Sequence, residues 1–266
     1  MANFCRWIAF LVNFNWEPGN SLILYWGSIV LGIVMEPSVC NSNKIAGNKL
    51  PGDKGLFITF EGGEGCGKTT MVPMLKEHLT SLGFKVECTR EPGGTKIAEQ
   101  IRNILVTKDE EEQLNPKTEL LLMYSARAQL VNSKIKPLLE DSNTIVISDR
   151  FDLSTVAYQG YGRGISLDEI AALRQVAIGD FKPDLTLLFD LDIKEGLLRA
   201  NKRSAADRFE QESLDFFYRV QEGFQKELQH HAHMSCVIDS SKSIEEVKEQ
   251  VIVAVNNLLK AKGFDL

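Results

Sequence analysis

Residues 62–69 hold the spacing G-x-x-x-x-G-K-[ST], with Gly62, Gly67, Lys68 and Thr69 at the fixed positions. That spacing suits one kind of chemistry. Glycines at 62, 63, 65 and 67 (Gly62, Gly63, Gly65, Gly67) let the backbone curl until successive N–H groups point at phosphate oxygens. Glu64 and Cys66 fill variable positions, and Thr70 follows the motif. Lys68 is long enough to reach β- and γ-phosphates, and the Thr69 hydroxyl suits Mg²⁺. The apolar run Leu56–Glu61 before the loop reads as a strand, and Thr69–Leu82 after it reads as a helix. A helix there would turn its positive dipole end toward the same anion. A chance glycine-rich turn has no reason to sit between such elements. The loop implies a nucleoside triphosphate and leaves the acceptor open.

Three arginines bear on the acceptor. Arg90 opens Arg90-Glu91-Pro92-Gly93-Gly94-Thr95, Arg150 sits in Asp149-Arg150-Phe151, and Arg127 lies on a helix between them. The planar guanidinium grips phosphate bidentately, and this is more positive charge than one triphosphate needs. A second phosphorylated ligand is implied. Pairing with surface carboxylates is the simpler reading for one arginine, but not for two placed at strand ends beside the loop.

The elements that position these residues are legible as strands at Leu56–Glu61, Lys85–Arg90, Thr144–Asp149, Leu185–Asp190 and Cys236–Asp239. Most are short apolar runs without alternation, as in parallel strands covered on both faces. Between them helix periods run over Thr69–Leu82, Thr95–Val106, Pro116–Glu140, Leu167–Gly179, Ile193–Ala200, Glu212–His230 and Ile244–Lys260. Alternating β and α units predict a parallel sheet under helices, with ligands beyond the carboxyl ends of the strands. Pro73 is the misfit, since it falls past the first helical turn, where it removes a hydrogen bond.

At 266 residues and 44% hydrophobic the chain can bury a full core, and its net charge of −6 argues against binding nucleic acid by phosphate neutralisation. Five cysteines without a C-x-x-C pair read as reduced thiols. Residues 1–54 differ from the rest. They hold all three tryptophans and an uncharged stretch, Pro18–Met35. Its apolar core, Ser21–Met35, has 15 residues, short of the ~20 that span a bilayer. Glu17 and Glu36 flank it, unlike the basic start of a signal peptide. A weak membrane anchor, a targeting segment and translated sequence upstream of the true start (with Met35 a candidate) are the readings, and the last is preferred. Asn41–Gly55 then reads as a linker into a domain over 55–266.

Phe60–Thr70, Arg90–Thr95 and Asp149-Arg150-Phe151, with Ser154-Thr155 and Ala157-Tyr158-Gln159-Gly160, together resemble the bacterial thymidylate kinases, in that family's order and spacing across residues 55–262. The resemblance implies a P-loop α/β fold of three layers around a five-stranded parallel sheet. It implies transfer of the γ-phosphoryl of Mg-ATP to dTMP, giving dTDP for dTTP biosynthesis, by a cytoplasmic homodimer. Residues 62–70 would cradle ATP, and Lys68 would stabilise the transferring charge. Thr69 would hold the metal, and Asp149 would support Arg150 or the metal through water. Glu64 would meet the sugar 3′-hydroxyl, and Arg90, Arg102 and Arg150 the acceptor phosphate. Arg127, Thr155 and Gln159 would read the thymine edge, while Tyr158 would crowd a ribose 2′ position. The family's stacking phenylalanine is replaced by Met123, whose sulfur can pack on a base, with Tyr124 as a neighbouring substitute.

Arg199–Glu210 resembles the family's mobile lid. The phosphate loop has no arginine between Gly62 and Lys68, so the lid's Arg203 and Arg208, backed by Arg199 and Lys202, are expected to meet transition-state charge. Other features are read blandly. His230, His231 and His233 end a helix without the carboxylate or cysteine partners of a metal site. Cys66 is a small loop residue, and Asp109–Glu112 faces water. A GTP switch would need an Asn-Lys-x-Asp guanine reader, which is absent. Another P-loop nucleoside monophosphate kinase is the nearest rival, and a membrane-recruited ATP-binding regulator would not need the arginine set.

Overall fold

Leu56–Gly62 forms β1, buried along its whole length, as an unalternating strand covered on both faces must be. The computed structural model describes residues 54–109, 111–202, 208–230 and 234–264, all within the second of the chain's two units, Ser38–Leu266. Residues 1–53, with the proposed anchor or leader, lie outside the described residues, as do Arg203, His231 and His233.

The other strands are β2 (Lys85–Arg90), β3 (Thr144–Asp149), β4 (Leu185–Asp190) and β5 (Ser235–Asp239). They form one parallel sheet in the order β2-β3-β1-β4-β5. Register does the positioning. Asp149 stands opposite Arg90 on one side and Phe60 on the other, so the carboxyl ends of β2, β3 and β1 finish level. The phosphate loop, the Arg90 turn and the Asp149-Arg150 turn therefore emerge side by side.

The helices are α1 (Lys68–Ser81), α2 (Lys96–Val106) and α3 (Pro116–Leu130), the last continuing through π-helical Val131–Ile135 into Lys136–Leu138. Next come α4 (Asp152–Thr155, running into π-helical Val156–Gly162), α5 (Leu167–Ala177), α6 (Ile193–Asn201), α7 (Leu214–His230) and α8 (Ile244–Ala261). Strand parity divides the core. Leu56, Ile58 and Phe60 pack with Leu75 and Leu79 of α1 and Val251 and Val255 of α8. Phe57, with Val146, faces Leu130 and Ile135 on the other side. On that side α7 packs Phe216, Phe217 and Val220 against Ala157 and Tyr158 of α4. The result is a three-layer α/β sandwich.

Side-chain caps fix several helix starts: Thr95 on α2, Asn115 on α3, and a full capping box of Ser243 and Glu246 on α8, each worth about 1 kcal/mol. Pro73 lies inside α1, which nonetheless continues to Ser81, so the cost is the one bond its missing N–H would have made to Thr69. Asp152–Gly160, which falls outside the helix periods predicted from sequence, is helix α4. Cys66 and Cys88 are free thiols. Among the described residues no helix is long and apolar enough to cross a membrane.

Candidate active site

The phosphate loop is held in shape by close backbone approach. Gly65 has φ +65°, and a Cβ there would come within 2.0 Å of the Gly196 carbonyl on α6. A Cβ on Gly196 would in turn meet the Glu64 carbonyl at 2.4 Å. Only glycine against glycine lets α6 rest on the loop. Gly67 caps α1 with left-handed backbone and no side chain, so no side-chain cap covers the first amides of the helix, which is how a helix start serves an anion. Lys68 is buried, and its Nζ donates to the loop itself: to Gly62 O at 2.9 Å, Gly63 O at 2.7 Å and Cys66 Sγ at 3.2 Å. Phosphate oxygens would take the place of these weaker acceptors.

Arg150 locks the loop to the end of β3. It is a non-glycine residue at φ +71°. Its N–H donates to Phe60 O at 2.8 Å, extending the ladder past β3. The guanidinium donates to Gly62 O at 2.9 Å, Ser154 Oγ at 3.2 Å and Glu64 Oε1 at 2.6 Å. Burial opposes its charge, but Glu64 beside it overcomes that and holds the group firmly cationic. The Tyr158 hydroxyl donates to the same Glu64 oxygen at 2.8 Å, and burial keeps its proton on. Below them Glu61 accepts from the Phe151 N–H and the Ser154 hydroxyl, and burial pushes its carboxyl upward.

A second cluster lies across the cleft. Arg127 is buried and spends four of its five N–H groups on Glu91 Oε2, Asp152 Oδ1, Phe151 O and Thr155 Oγ1, at 2.8 to 3.2 Å. The guanidinium also lies over the rings of Tyr124 and Phe151. The remaining N–H is on the same nitrogen that meets Asp152. Burial raises the Glu91 carboxyl to about 7 against the pull of Arg127, and its Oε1 has no hydrogen-bond partner among the described residues. Gln159 donates from Nε2 to Glu119 at 2.7 Å.

Both clusters line one cleft of about 200 Å³. Glu64, Gly65, Cys66, Gly67, Lys68 and Thr69 line it, as do Arg90, Arg102, Met123, Arg127, Asp149, Arg150, Thr155, Tyr158 and Gln159. Thr70 is exposed on α1 beside it. Most of the sequence-predicted set is thus brought together, while Gly62 and Gly63 line a neighbouring cavity on the other side of the loop and two arginines stand apart. Arg203 is outside the described residues. Arg208, expected among the phosphate-facing cations, does not line the cleft. It donates to Leu105 O at 2.8 Å and approaches Glu119 at 2.7 Å as an ion pair without hydrogen-bond alignment, because a fully buried carboxylate draws in cations. Arg90 and Arg102 reach Glu99 at 3.0 Å and Pro92 O at 2.9 Å. Met123 is at the cleft wall, while Tyr124 is buried with its hydroxyl on Asp152. Sequence reasoning missed Glu91, Ser154 and Phe209, which also line the cleft. Glu91 carried a signal in the Arg90–Thr95 turn; Phe209, the aromatic after Arg208, carried one as a second surface for a flat ligand.

A phosphate-cradling loop and an arginine-bearing cluster facing each other across one cleft define a P-loop phosphotransferase site. The family model for thymidylate kinase matches residues 60–251. Thymidylate kinase of Hahella chejuensis is 47% identical over 198 residues, 74% of this chain and 94% of that protein. That of Pseudomonas fluorescens Pf0-1 is 46% identical over 206 residues, 77% and 97% of the two chains. The crystal structure of the Ehrlichia chaffeensis thymidylate kinase superposes with a TM-score of 0.60 at 36% identity, covering 77% of this chain and 99% of that one. The chain belongs to the thymidylate kinase family.

Proposed function

We propose that residues 55–266 form an ATP-dependent dTMP kinase that produces dTDP, with residues 1–54 outside the catalytic unit. The observation that carries this is the single cleft in which the phosphate loop faces the Arg127–Gln159 cluster. Loop amides and Lys68 grip the triphosphate. Arg150, Arg90 and Arg102 supply cations for the acceptor phosphate. Such a reaction asks chiefly for positioning and for charge on the equatorial oxygens. Glu64, held by Arg150 and Tyr158, is aimed to accept from the acceptor's sugar hydroxyl. Met123 and Phe209, which both line the cleft, flank the base. Arg203 is the lid arginine proposed to face the transferring phosphoryl, and Arg208, fixed on Glu119, anchors the lid.

The donor set fits Mg²⁺. Thr69 Oγ1 lies 3.4 Å from Asp149 Oδ2, both exposed to the cleft, and this ion takes one or two hard oxygens from protein and the rest from phosphate and water. Bound there, it would neutralise phosphate charge. A cytoplasmic homodimer is proposed with this activity, and no nucleic-acid partner.

Turnover of the purified chain across dTMP, dUMP, GMP and deoxynucleosides tests the reading; a clear preference for any acceptor but dTMP overturns it. Tyr158 gives a second test. Its ring lines the cleft with its hydroxyl tied to Glu64. Tyr158→Ala is expected to narrow the preference for dTMP over its ribonucleotide by about 10- to 200-fold, the range for one steric contact. Tyr158→Phe, which keeps the ring, should preserve it. Equal deoxy-to-ribo ratios of kcat/KM in all three enzymes reject the role.

A further inference from the structure

Glu119 lies on α3 and is fully buried, far in sequence from the phosphate loop. Its Oε1 accepts from Gln159 Nε2 at 2.7 Å and from Arg163 Nε at 3.3 Å. Its Oε2 accepts from a second Arg163 nitrogen at 3.2 Å and lies 2.7 Å from Arg208. Arg163 and Arg208 meet both oxygens with guanidinium nitrogens, which only donate, so this carboxyl acts here as an acceptor. The amide of Gln159 must therefore turn its NH₂ to Glu119, which leaves its carbonyl oxygen as the end available to the cleft that Gln159 lines.

We propose that Glu119 is a positioning residue that sets base specificity by fixing the orientation of the Gln159 amide. The inference rests on the dTMP kinase reading. A carbonyl facing the cleft accepts from a pyrimidine with a proton on N3, as in thymine, and repels the bare N3 of cytosine. The spare N–H of Arg127 is the matching donor for O4. Because Glu119 also carries Arg208, the same residue ties the base-reading amide to the end of the lid.

Replacement by glutamine makes the argument testable. In Glu119→Gln the arginines keep the carbonyl on the Oε2 side, where two guanidinium nitrogens converge, so the new NH₂ falls opposite Gln159. Gln159 must then flip, presenting NH₂ to the cleft. The ratio of kcat/KM for dTMP over dCMP is expected to fall by about 100-fold or more, since a buried hydrogen-bonding group is now mismatched to thymine. The contribution of Arg127 against the cytosine amino group is common to both enzymes and cancels. So does any loss of folded protein, because both substrates are measured on one preparation. In a Gln159→Met background the same change at Glu119 should leave the ratio unmoved. If Glu119→Gln fails to fold, Glu119→Asp keeps the charge for the arginines but withdraws it from Gln159, and its ratio should fall as well. A proportional loss on both substrates, or a shift that persists without Gln159, overturns the proposal. Failure of the wild-type chain to prefer dTMP would instead overturn the underlying function.

Discussion

Lys68→Ala is expected to lower kcat by about 10³-fold while leaving circular dichroism unchanged, since removal of one positioned cation or donor from a transferring phosphoryl costs on this order. The structure sharpens the expectation. All three hydrogens of the ammonium are spent on the loop's own acceptors, Gly62 O, Gly63 O and Cys66 Sγ. The proposed function gives the lysine two tasks: to keep the loop curled, and to exchange those acceptors for phosphate oxygens when nucleotide arrives. Lys68→Met, which keeps most of the stem but no donor, separates the tasks. If curling dominates, ATP affinity collapses with kcat; if charge on the transition state dominates, kcat falls with ATP affinity nearly preserved. Equilibrium binding of ATP and single-turnover rates measure the two. Turnover within about tenfold of wild type in both variants would remove the loop from the catalytic reading.

Much of the fold was legible because its strands are unalternating apolar runs. Lys85–Arg90, Thr144–Asp149 and Leu185–Asp190 have the same bounds in sequence and structure. Helix α4 was not legible. Its Ser154, Thr155 and Gly160 are weak helix formers, and what makes the segment helical is tertiary: Ala157 and Tyr158 pack against the phenylalanines of α7. Residue types at strand ends revealed the phosphate and arginine groups, since register carries strand ends to one place. Partnerships across long sequence separations stayed hidden. Glu91 and Arg127 are 36 residues apart, and Glu119 and Gln159 are 40 apart, and no periodicity links them. The same blindness misdirected Arg208. A basic residue in a lid is read as free to meet phosphate unless a buried carboxylate is known to lie beneath it, and Glu119 looks in sequence like any first-turn helix glutamate.

Arg150→Ala is expected to be the most damaging single change in the acceptor subsite, lowering kcat/KM for dTMP by at least about 10³-fold and stability by about 3–5 kcal/mol, the range for breaking a buried ion pair. Three losses combine. Glu64 keeps the Tyr158 hydroxyl but loses its guanidinium, so the group aimed at the acceptor sugar is no longer held from two sides. Gly62 O and Ser154 Oγ lose a donor. The acceptor phosphate loses a cation at the carboxyl end of β3. Arg150→Lys restores charge but not the fork, and should recover stability more than activity. The backbone supplies an internal control. At φ +71° alanine carries a left-handed penalty of about 1 kcal/mol that glycine does not. Arg150→Gly should therefore melt higher than Arg150→Ala while being equally inactive. That pattern would separate the residue's two properties, a strained conformation that glycine satisfies and a guanidinium that only arginine supplies. If glycine restored activity along with stability, the side chain would be irrelevant to transfer, and the acceptor phosphate would have to be met by Arg90 and Arg102 alone.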